Sequence, residues 1–168
     1  MPIKMTPDEY YEAFTIGNYN EFIEEPSSVM RAFNSSIAAS HLADCYFNYN
    51  KVHNPELIQD FQNLSDFIKY INERTNNYFK DIRSISNAYK HLYTGLREEY
   101  ARHSSISSAG TIEAIVFEDE EIKQLSEVPK DENKPEAMVT YTRKTGEQIH
   151  FINAIKTVIE FWKTLIYD

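Results

Sequence analysis

Apolar side chains recur every three or four positions in the middle of the chain, which is the spacing of one face of an α-helix. Arg83, Asn87 and Lys90 fall on the opposite side, and His91 lies at its edge. The pattern therefore predicts an amphipathic helix over about residues 79–100. Its apolar face consists of Ile82, Ile85, Tyr89, Leu92, Tyr93 and Leu96.

A second long helix is predicted over residues 28–52, begun by Ser27 or Ser28 as the cap. Apolar residues lie almost all the way round this segment, which is typical of a buried, central helix. Small residues also recur at helical spacing along it, where a second helix could approach closely; they are Ala32, Ser36, Ala39 and Ala43. Helices 28–52 and 79–100 are therefore expected to form the centre of an antiparallel bundle.

Shorter helices are predicted before the central pair and between its members. Thr6-Pro7-Asp8-Glu9 has the order of a capping box with proline in the first turn, and Gly17 is expected to end that helix. Asn54-Pro55-Glu56 is expected to restart a helix that runs to about Asn63. Ser65-Asp66 is expected to cap the next helix, which bends near residues 75–77 and continues into the second central helix.

The pattern changes towards the C-terminus, where short β-branched and apolar runs predict strands at residues 111–117, 137–143 and 148–151. Lys144-Thr145-Gly146-Glu147 has the composition of a hairpin turn. From about Asn153 the three–four spacing returns and predicts a terminal helix that docks on the core.

The predicted fold class is mainly α: a single-domain antiparallel helical bundle with a small C-terminal β-hairpin or three-stranded sheet and a terminal helix. The helical core is expected over about residues 6–101, and the hairpin with the terminal helix over about residues 111–167. Because this second part is too short to bury a core of its own, residues 1–168 are predicted to form one domain.

Composition narrows the classes of function. The chain of 168 residues has 26 acidic and 17 basic side chains and a formal net charge of −9, which argues against broad binding to nucleic acid or to anionic membranes but permits a local basic site. The single cysteine, Cys45, cannot form an intrachain disulfide, so a reducing, cytoplasmic location is expected. The N-terminus lacks the apolar region of a signal peptide, and no apolar run reaches about 18 residues, so we expect no membrane association.

The polar face of the central helix supports two interpretations. Arg83, Asn87, Lys90 and His91 are either the solvated side of an ordinary amphipathic helix or a set of donors for an anion, a nucleotide or a partner.

His41 and Asp44 lie three positions apart on the other central helix. They are either a hydrogen-bonded pair that satisfies buried polar atoms or part of a cleft that they line together with Arg83, Asn87 and His91. The chain has no His-x-x-x-His, no second cysteine and no glycine-rich phosphate loop. No metal site and no cofactor are therefore expected.

Two sequence motifs of the chain resemble motifs of the HEPN superfamily, whose members are helical and mostly RNA-directed proteins. Arg97 precedes His103 by six positions, which fits the Arg-x(4–6)-His motif of that superfamily. From about residue 28 onward, the chain is also similar to bacterial and mobile-element proteins that are described as HEPN-like. That similarity rests on Ala-Ser-His41-Leu-Ala-Asp44, Asp81-Ile-Arg83 and Asn87-Ala-Tyr-Lys90-His91.

The resemblance implies a helical protein that acts in mobile-element or defence biology and binds RNA or a nucleotide. If it is an enzyme, the implied activity is a metal-independent ribonuclease, in which histidine transfers the proton of a ribose 2′-hydroxyl and arginine stabilises the phosphate. The implied catalytic candidates are Arg83, His91, Arg97 and His103, and the implied ligand-binding candidates are His41, Asp44, Asn87 and Lys90. The separation of Arg83 and His91 exceeds the HEPN spacing, so the two motifs indicate different residues.

A second hypothesis, from another class, is a non-enzymatic module whose acidic surface binds a protein partner. A homodimer is also expected, because the chain is rich in aromatic residues and twofold oligomers are common. The hypotheses differ in what they predict for the polar residues. A ligand site requires Arg83, Lys90 and His91 to converge in a cleft with His41 and Asp44 or with a symmetry mate, whereas an interaction module leaves these residues dispersed or bonded within the chain.

Overall fold

The computed structural model describes residues 4–92, 139–143 and 145–168, and for residues 88–92 it describes the backbone alone. Helices dominate the described part, and a two-stranded antiparallel hairpin precedes the terminal helix. The predicted mainly α fold with a small C-terminal hairpin and a terminal helix is thus confirmed. No helix among the described residues is both long enough and apolar enough to cross a membrane.

Helix α1 begins at the predicted capping box. The Thr6 hydroxyl accepts a hydrogen bond from the Glu9 N–H at 3.3 Å, and the Glu9 carboxylate accepts one from the Thr6 N–H at 2.9 Å. The predicted end at Gly17 is wrong, because α1 continues past it. Its consecutive segments are α-helical Pro7–Tyr10, π-helical Tyr11–Thr15 and α-helical Ile16–Glu24.

The continuation of α1 has an energetic reason. A glycine inside a helix costs about 1 kcal/mol relative to alanine. Phe22, five positions later, is completely buried, and burying such a side chain contributes about 1.5–3 kcal/mol. Tertiary packing therefore outweighs the local preference of Gly17 to end the helix.

Helix α2 spans Val29–His53, close to its predicted bounds, and the Ser28 hydroxyl accepts a hydrogen bond from the Arg31 N–H at 3.3 Å. The predicted small residues of α2 are buried, and a partner does approach them closely. The indole N–H of Trp162, in the terminal helix, donates to the backbone oxygen of Ala39 at 3.1 Å. This contact reaches the α2 backbone because the side chains around it are short.

The segment between α2 and the next helix contains less helix than predicted. A single 3₁₀ turn at Pro55–Leu57 replaces the expected helix to Asn63, because only Ile58 in this stretch is buried and no apolar face is available to stabilise a longer helix. Helix α3 spans Leu64–Arg74. Its cap is Asn63, whose side-chain oxygen accepts from the Asp66 N–H at 3.0 Å, so the cap predicted at Ser65-Asp66 is wrong.

Helix α4 spans Tyr78–Leu92 and is separated from α3 by a turn rather than by the predicted bend. Asn76 and Asn77 have φ values of 51° and 63°, the left-handed region that asparagine tolerates better than most residues. Ile82 and Ile85 are buried as the periodicity predicts, and α4 packs most extensively against α2. The two predicted central helices are therefore neighbours.

The hairpin pairs β1, Thr140–Thr142, with β2, Gln148–His150, in a register that places Tyr141 opposite Ile149. Gly146 lies in the predicted turn with a φ of 90°, which glycine adopts without strain. The strand predicted at residues 111–117 lies outside the described residues.

The terminal helix α5 spans Phe151–Tyr167, so Phe151 belongs to this helix and not to the predicted third strand. The backbone N–H of Phe151 donates to the backbone oxygen of Val139 at 2.9 Å, and the Phe151 side chain is buried. The apolar face of α5 docks on the core as predicted. Trp162 is completely buried at the centre of an aromatic cluster, with ring centroids 5.2–6.3 Å from those of Tyr46, Phe67, Phe79 and Phe161.

Candidate functional site

The contact between α2 and α4 brings together Asp44 and Arg83, which are 39 positions apart in the sequence. The Nη1 of Arg83 donates to the Oδ2 of Asp44 at 3.2 Å. The Asp44 side chain is 40% exposed and the Arg83 side chain 28% exposed. These two predicted site residues therefore form a pair that solvent, and hence a ligand, can reach.

Other predicted residues flank this pair along the same two helices. His41 lies three positions before Asp44, and Asn87 lies four positions after Arg83, spacings that place side chains on one helix face. Both residues are half-buried, and His41 makes an interaction of its own. The structure thus places His41, Asp44, Arg83 and Asn87 on neighbouring faces of α2 and α4.

The remaining predicted site residues are described incompletely or not at all. Lys90 and His91 lie in α4, in the part of the helix for which only the backbone is described. Arg97 and His103 lie outside the described residues, so their pairing remains a prediction. Within the described ranges, no group of three or more His, Cys, Asp or Glu side chains is placed to hold a metal ion.

Arg83 uses little of its hydrogen-bonding capacity. In the described part of the chain, its side chain makes one hydrogen bond, through Nη1 to Asp44. A guanidinium group carries N–H donors on all three nitrogen atoms, arranged as a planar fork. The donors of Nε and Nη2 are therefore available for a planar or tetrahedral oxyanion.

Tyr10 of α1 lies in the electrostatic environment of the pair, although it was not a predicted site residue. Burial, followed by the negative charges of Cys45 and Asp44, raises the pKa of Tyr10 to about 12. Its phenol is therefore neutral near pH 7. The sequence contains no signal for this proximity, because only the packing of α1 against α2 creates it.

A second, buried cluster joins α4 to the hairpin through Asp81, which sequence reasoning also missed. Its Oδ2 accepts hydrogen bonds from the Tyr141 hydroxyl at 2.6 Å and from the Nε and Nη2 of Arg143 at 2.9 and 2.7 Å. Arg143 also donates through Nη1 to Glu147 at 2.8 Å. All three guanidinium nitrogens of Arg143 are thus engaged within the chain.

The electrostatics of this second cluster keep Tyr141 protonated and Arg143 positively charged. Burial and the hydrogen bond to Asp81 raise the pKa of Tyr141 well above its usual range. The hydrogen bond to Asp81 likewise raises the pKa of Arg143. Tyr141 is therefore a neutral donor and Arg143 a cation throughout the physiological range, and both donate hydrogen bonds to Asp81.

One sequence signal could have indicated Asp81. Asp81 precedes Ile85 by four positions, so helical spacing puts the Asp81 carboxylate on the apolar face of α4. An acid on a buried face needs a partner, because an unpaired buried charge is costly. The identity of that partner, 62 positions away, could not be read from the pattern.

Comparison of the chain with protein-family models, with curated proteins and with solved structures finds no match in any of the three. Function must therefore be inferred from the chemistry of the two clusters. In the Asp81 cluster, all three guanidinium nitrogens of the arginine bond carboxylates of the chain, whereas in the accessible pair Arg83 bonds through Nη1 alone among the described residues. The Asp44–Arg83 pair is the candidate functional site.

Proposed function

We propose that this chain is a HEPN-like helical protein that binds RNA or a nucleotide at the Asp44–Arg83 pair and acts in mobile-element or defence biology. The observation that carries the proposal is the convergence of Asp44 and Arg83 across α2 and α4, where the Arg83 guanidinium makes one hydrogen bond to the described part of the chain. The HEPN-like motifs of the sequence contain both residues.

The chemistry of Arg83 fits a phosphate ligand. A guanidinium fork recognises phosphate through two parallel N–H···O bonds, which are shorter and stronger than hydrogen bonds between neutral groups. Asn87, on the same helix face, adds an amide that can donate to a sugar or a base. A site of this size is compatible with the net charge of −9, because it needs only a local cation and not a basic surface.

A catalytic version of the site is a metal-independent ribonuclease. A histidine, either His91 or His103, would take the proton from a ribose 2′-hydroxyl as its oxygen attacks the adjacent phosphorus. Arg83, or Arg97 in the other motif, would stabilise the extra negative charge on the phosphoryl oxygens. The bond between phosphorus and the 5′-oxygen then breaks, which leaves a 2′,3′-cyclic phosphate, and the 5′-oxygen takes a proton from the protonated histidine or from water.

The test is cleavage and binding of single-stranded RNA by the purified protein in the presence of a chelator. We expect Arg83→Gln to weaken RNA binding at least about tenfold, as loss of a charged hydrogen-bonding partner does. Arg74→Gln is the matched control, since Arg74 is an exposed arginine of α3 whose guanidinium lies over the Tyr70 ring.

The histidine variants then locate any catalysis. Cleavage lost only in His103→Ala would assign it to the Arg97–His103 motif, and loss only in His91→Ala would assign it to α4. If the unmodified protein neither binds nor cleaves RNA or nucleotides, the proposal is wrong.

A second candidate function, a non-enzymatic protein-interaction module, is favoured by a different surface. A groove between α1 and α2 is lined by Tyr10, Phe14, Asn18, Asn34, Ile37 and Ala38. Phe14 is 43% exposed there and its ring centroid lies 5.2 Å from that of Tyr10, so the groove presents aromatic surface to a partner. A partner that is lost with Phe14→Glu but retained with Arg83→Gln would support this function.

A further inference from the structure

The bonding of Arg83 suggests how the proposed site is regulated. Arg83 Nη1 meets Asp44 Oδ2 in one contact of 3.2 Å, and no second donor of the guanidinium reaches Asp44 or another acceptor in residues 4–92, 139–143 and 145–168. An ideal arginine–carboxylate pair uses two parallel hydrogen bonds. The Asp44–Arg83 pair is therefore an incomplete one.

We infer that Asp44 is an internal competitor for the anionic ligand: it holds the Nη1 of Arg83 in a resting pair, so a phosphate group gains the whole guanidinium fork only by displacing the Asp44 carboxylate. This inference rests on the proposed function and adds a regulatory role for Asp44 to it. The ligand class is a phosphate monoester or diester, which can take both arms of the guanidinium fork where Asp44 takes one.

The exposure of both partners makes the exchange feasible. With 40% of its side chain exposed, Asp44 can be solvated after it leaves Arg83, and Arg83 need not move from a buried position to meet a ligand. A single contact between partly exposed charges is weak, since water and salt screen it. A bidentate phosphate is therefore the stronger partner for Arg83.

The Asp44 carboxylate opposes a phosphate in a second way. It remains close to Arg83 after the exchange, and its negative charge repels the incoming anion. Removing that charge should therefore strengthen ligand binding, provided that Arg83 is present. This dependence separates competition at Arg83 from a general effect of net charge on the affinity for RNA.

The experiment measures binding of a fluorescein-labelled single-stranded oligouridylate with a 5′-phosphate by fluorescence anisotropy at low ionic strength. Four proteins are compared: the unmodified chain, Asp44→Asn, Asp60→Asn and the double variant Asp44→Asn/Arg83→Gln. Asp60 is the matched control, because it is exposed and its change removes the same charge outside α2 and α4. Circular dichroism confirms that each variant is folded.

We expect Asp44→Asn to bind the oligonucleotide about fivefold more tightly, the factor that corresponds to about 1 kcal/mol for a partly exposed ion pair. Asp60→Asn should bind like the unmodified chain, and the double variant should bind no more tightly than the Arg83→Gln protein of the preceding test.

Three other results would overturn the inference, and the first two are distinguishable from the third. If the unmodified chain binds the oligonucleotide and Asp44→Asn binds no more tightly, Asp44 is not a competitor, while the proposed function stands. An equal gain in Asp60→Asn has the same meaning, because it indicates a general charge effect. If neither the unmodified chain nor Asp44→Asn binds, the proposed function fails together with the inference.

Discussion

Two aspartate–arginine pairs join α4 to its neighbours, and their environments differ sharply. In the pair with the hairpin, the Asp81 side chain is 1% exposed and the Arg143 side chain 19% exposed. In the pair with α2, Asp44 and Arg83 are 40% and 28% exposed. The buried carboxylate oxygen accepts three hydrogen bonds, from Tyr141 and from two nitrogens of Arg143, whereas the accessible pair has one.

The difference in exposure and in hydrogen bonding indicates a different role for each pair. A buried charge is costly without partners. The donors of Tyr141 and Arg143 therefore bond to Asp81, and these hydrogen bonds hold the hairpin on α4. A partly solvated pair contributes little to stability and can exchange partners. The same two residue types therefore make a structural connection on one face of α4 and a candidate ligand site on the opposite face, since Asp81 and Arg83 are two positions apart.

The largest expected effect is on the buried pair. Asp81→Ala leaves the Arg143 guanidinium and the Tyr141 hydroxyl without their acceptor, and removing one partner of a buried pair costs about 3–5 kcal/mol. The free energy of unfolding, measured by urea denaturation and followed by the fluorescence of the single tryptophan, Trp162, should fall by that amount.

Asp44→Ala is the matched comparison and should lower the free energy of unfolding by no more than about 1 kcal/mol. Equal losses in the two variants would contradict the distinction between a structural pair and an exchangeable one.

An intermediate effect concerns pH. The pKa of Tyr141 is raised in the fold, so the folded chain keeps this proton at a pH where an unfolded tyrosine has lost it. The stabilisation is fully present below about pH 10 and is lost as the pH rises above that value. Between about pH 9 and pH 11, the advantage of the unmodified chain over Tyr141→Phe should shrink by about 1.4 kcal/mol.

The measurement is the free energy of unfolding of both proteins at each pH, since their other titrating groups are identical and cancel. A constant difference between the two proteins across this range would show that Tyr141 ionises in the fold as easily as in the unfolded chain.

The smallest effect is expected at the Asp44–Arg83 pair. A double-mutant cycle with Asp44→Asn and Arg83→Gln should give a coupling energy of at most about 1 kcal/mol. Raising the salt concentration from about 0.05 M to about 1 M should reduce it further, because salt screens accessible charges. A coupling above about 2 kcal/mol that salt does not change would make this pair as structural as the buried one.

Local signals predicted several elements correctly. The capping box at Thr6 and Glu9 and the cap at Ser28 depend on contacts between residues three positions apart, which a sequence displays directly. The turn at Gly146 likewise follows from the backbone freedom of glycine. Gly17 was misleading for the opposite reason, since the burial of Phe22 by distant residues decided whether α1 would continue.

The candidate site was predictable only in part. Helical spacing groups Arg83 with Asn87 and His41 with Asp44, because residues three or four apart share a helix face. It could not show that Arg83 bonds Asp44 through one nitrogen, nor that Tyr10 lies in the same environment. These depend on the packing of α1, α2 and α4 against one another.

The helical character, the starts of α1 and α2 and the hairpin turn could be read from the sequence alone, because these follow from hydrogen bonds and periodicities that span a few residues. The tertiary structure alone decided which charges meet. Asp44 and Arg83 are 39 positions apart, and Asp81 and Arg143 are 62 positions apart. Such partners are chosen by the packing of whole helices, and the solvent that packing leaves around each pair sets whether it holds the fold or stays available to a ligand.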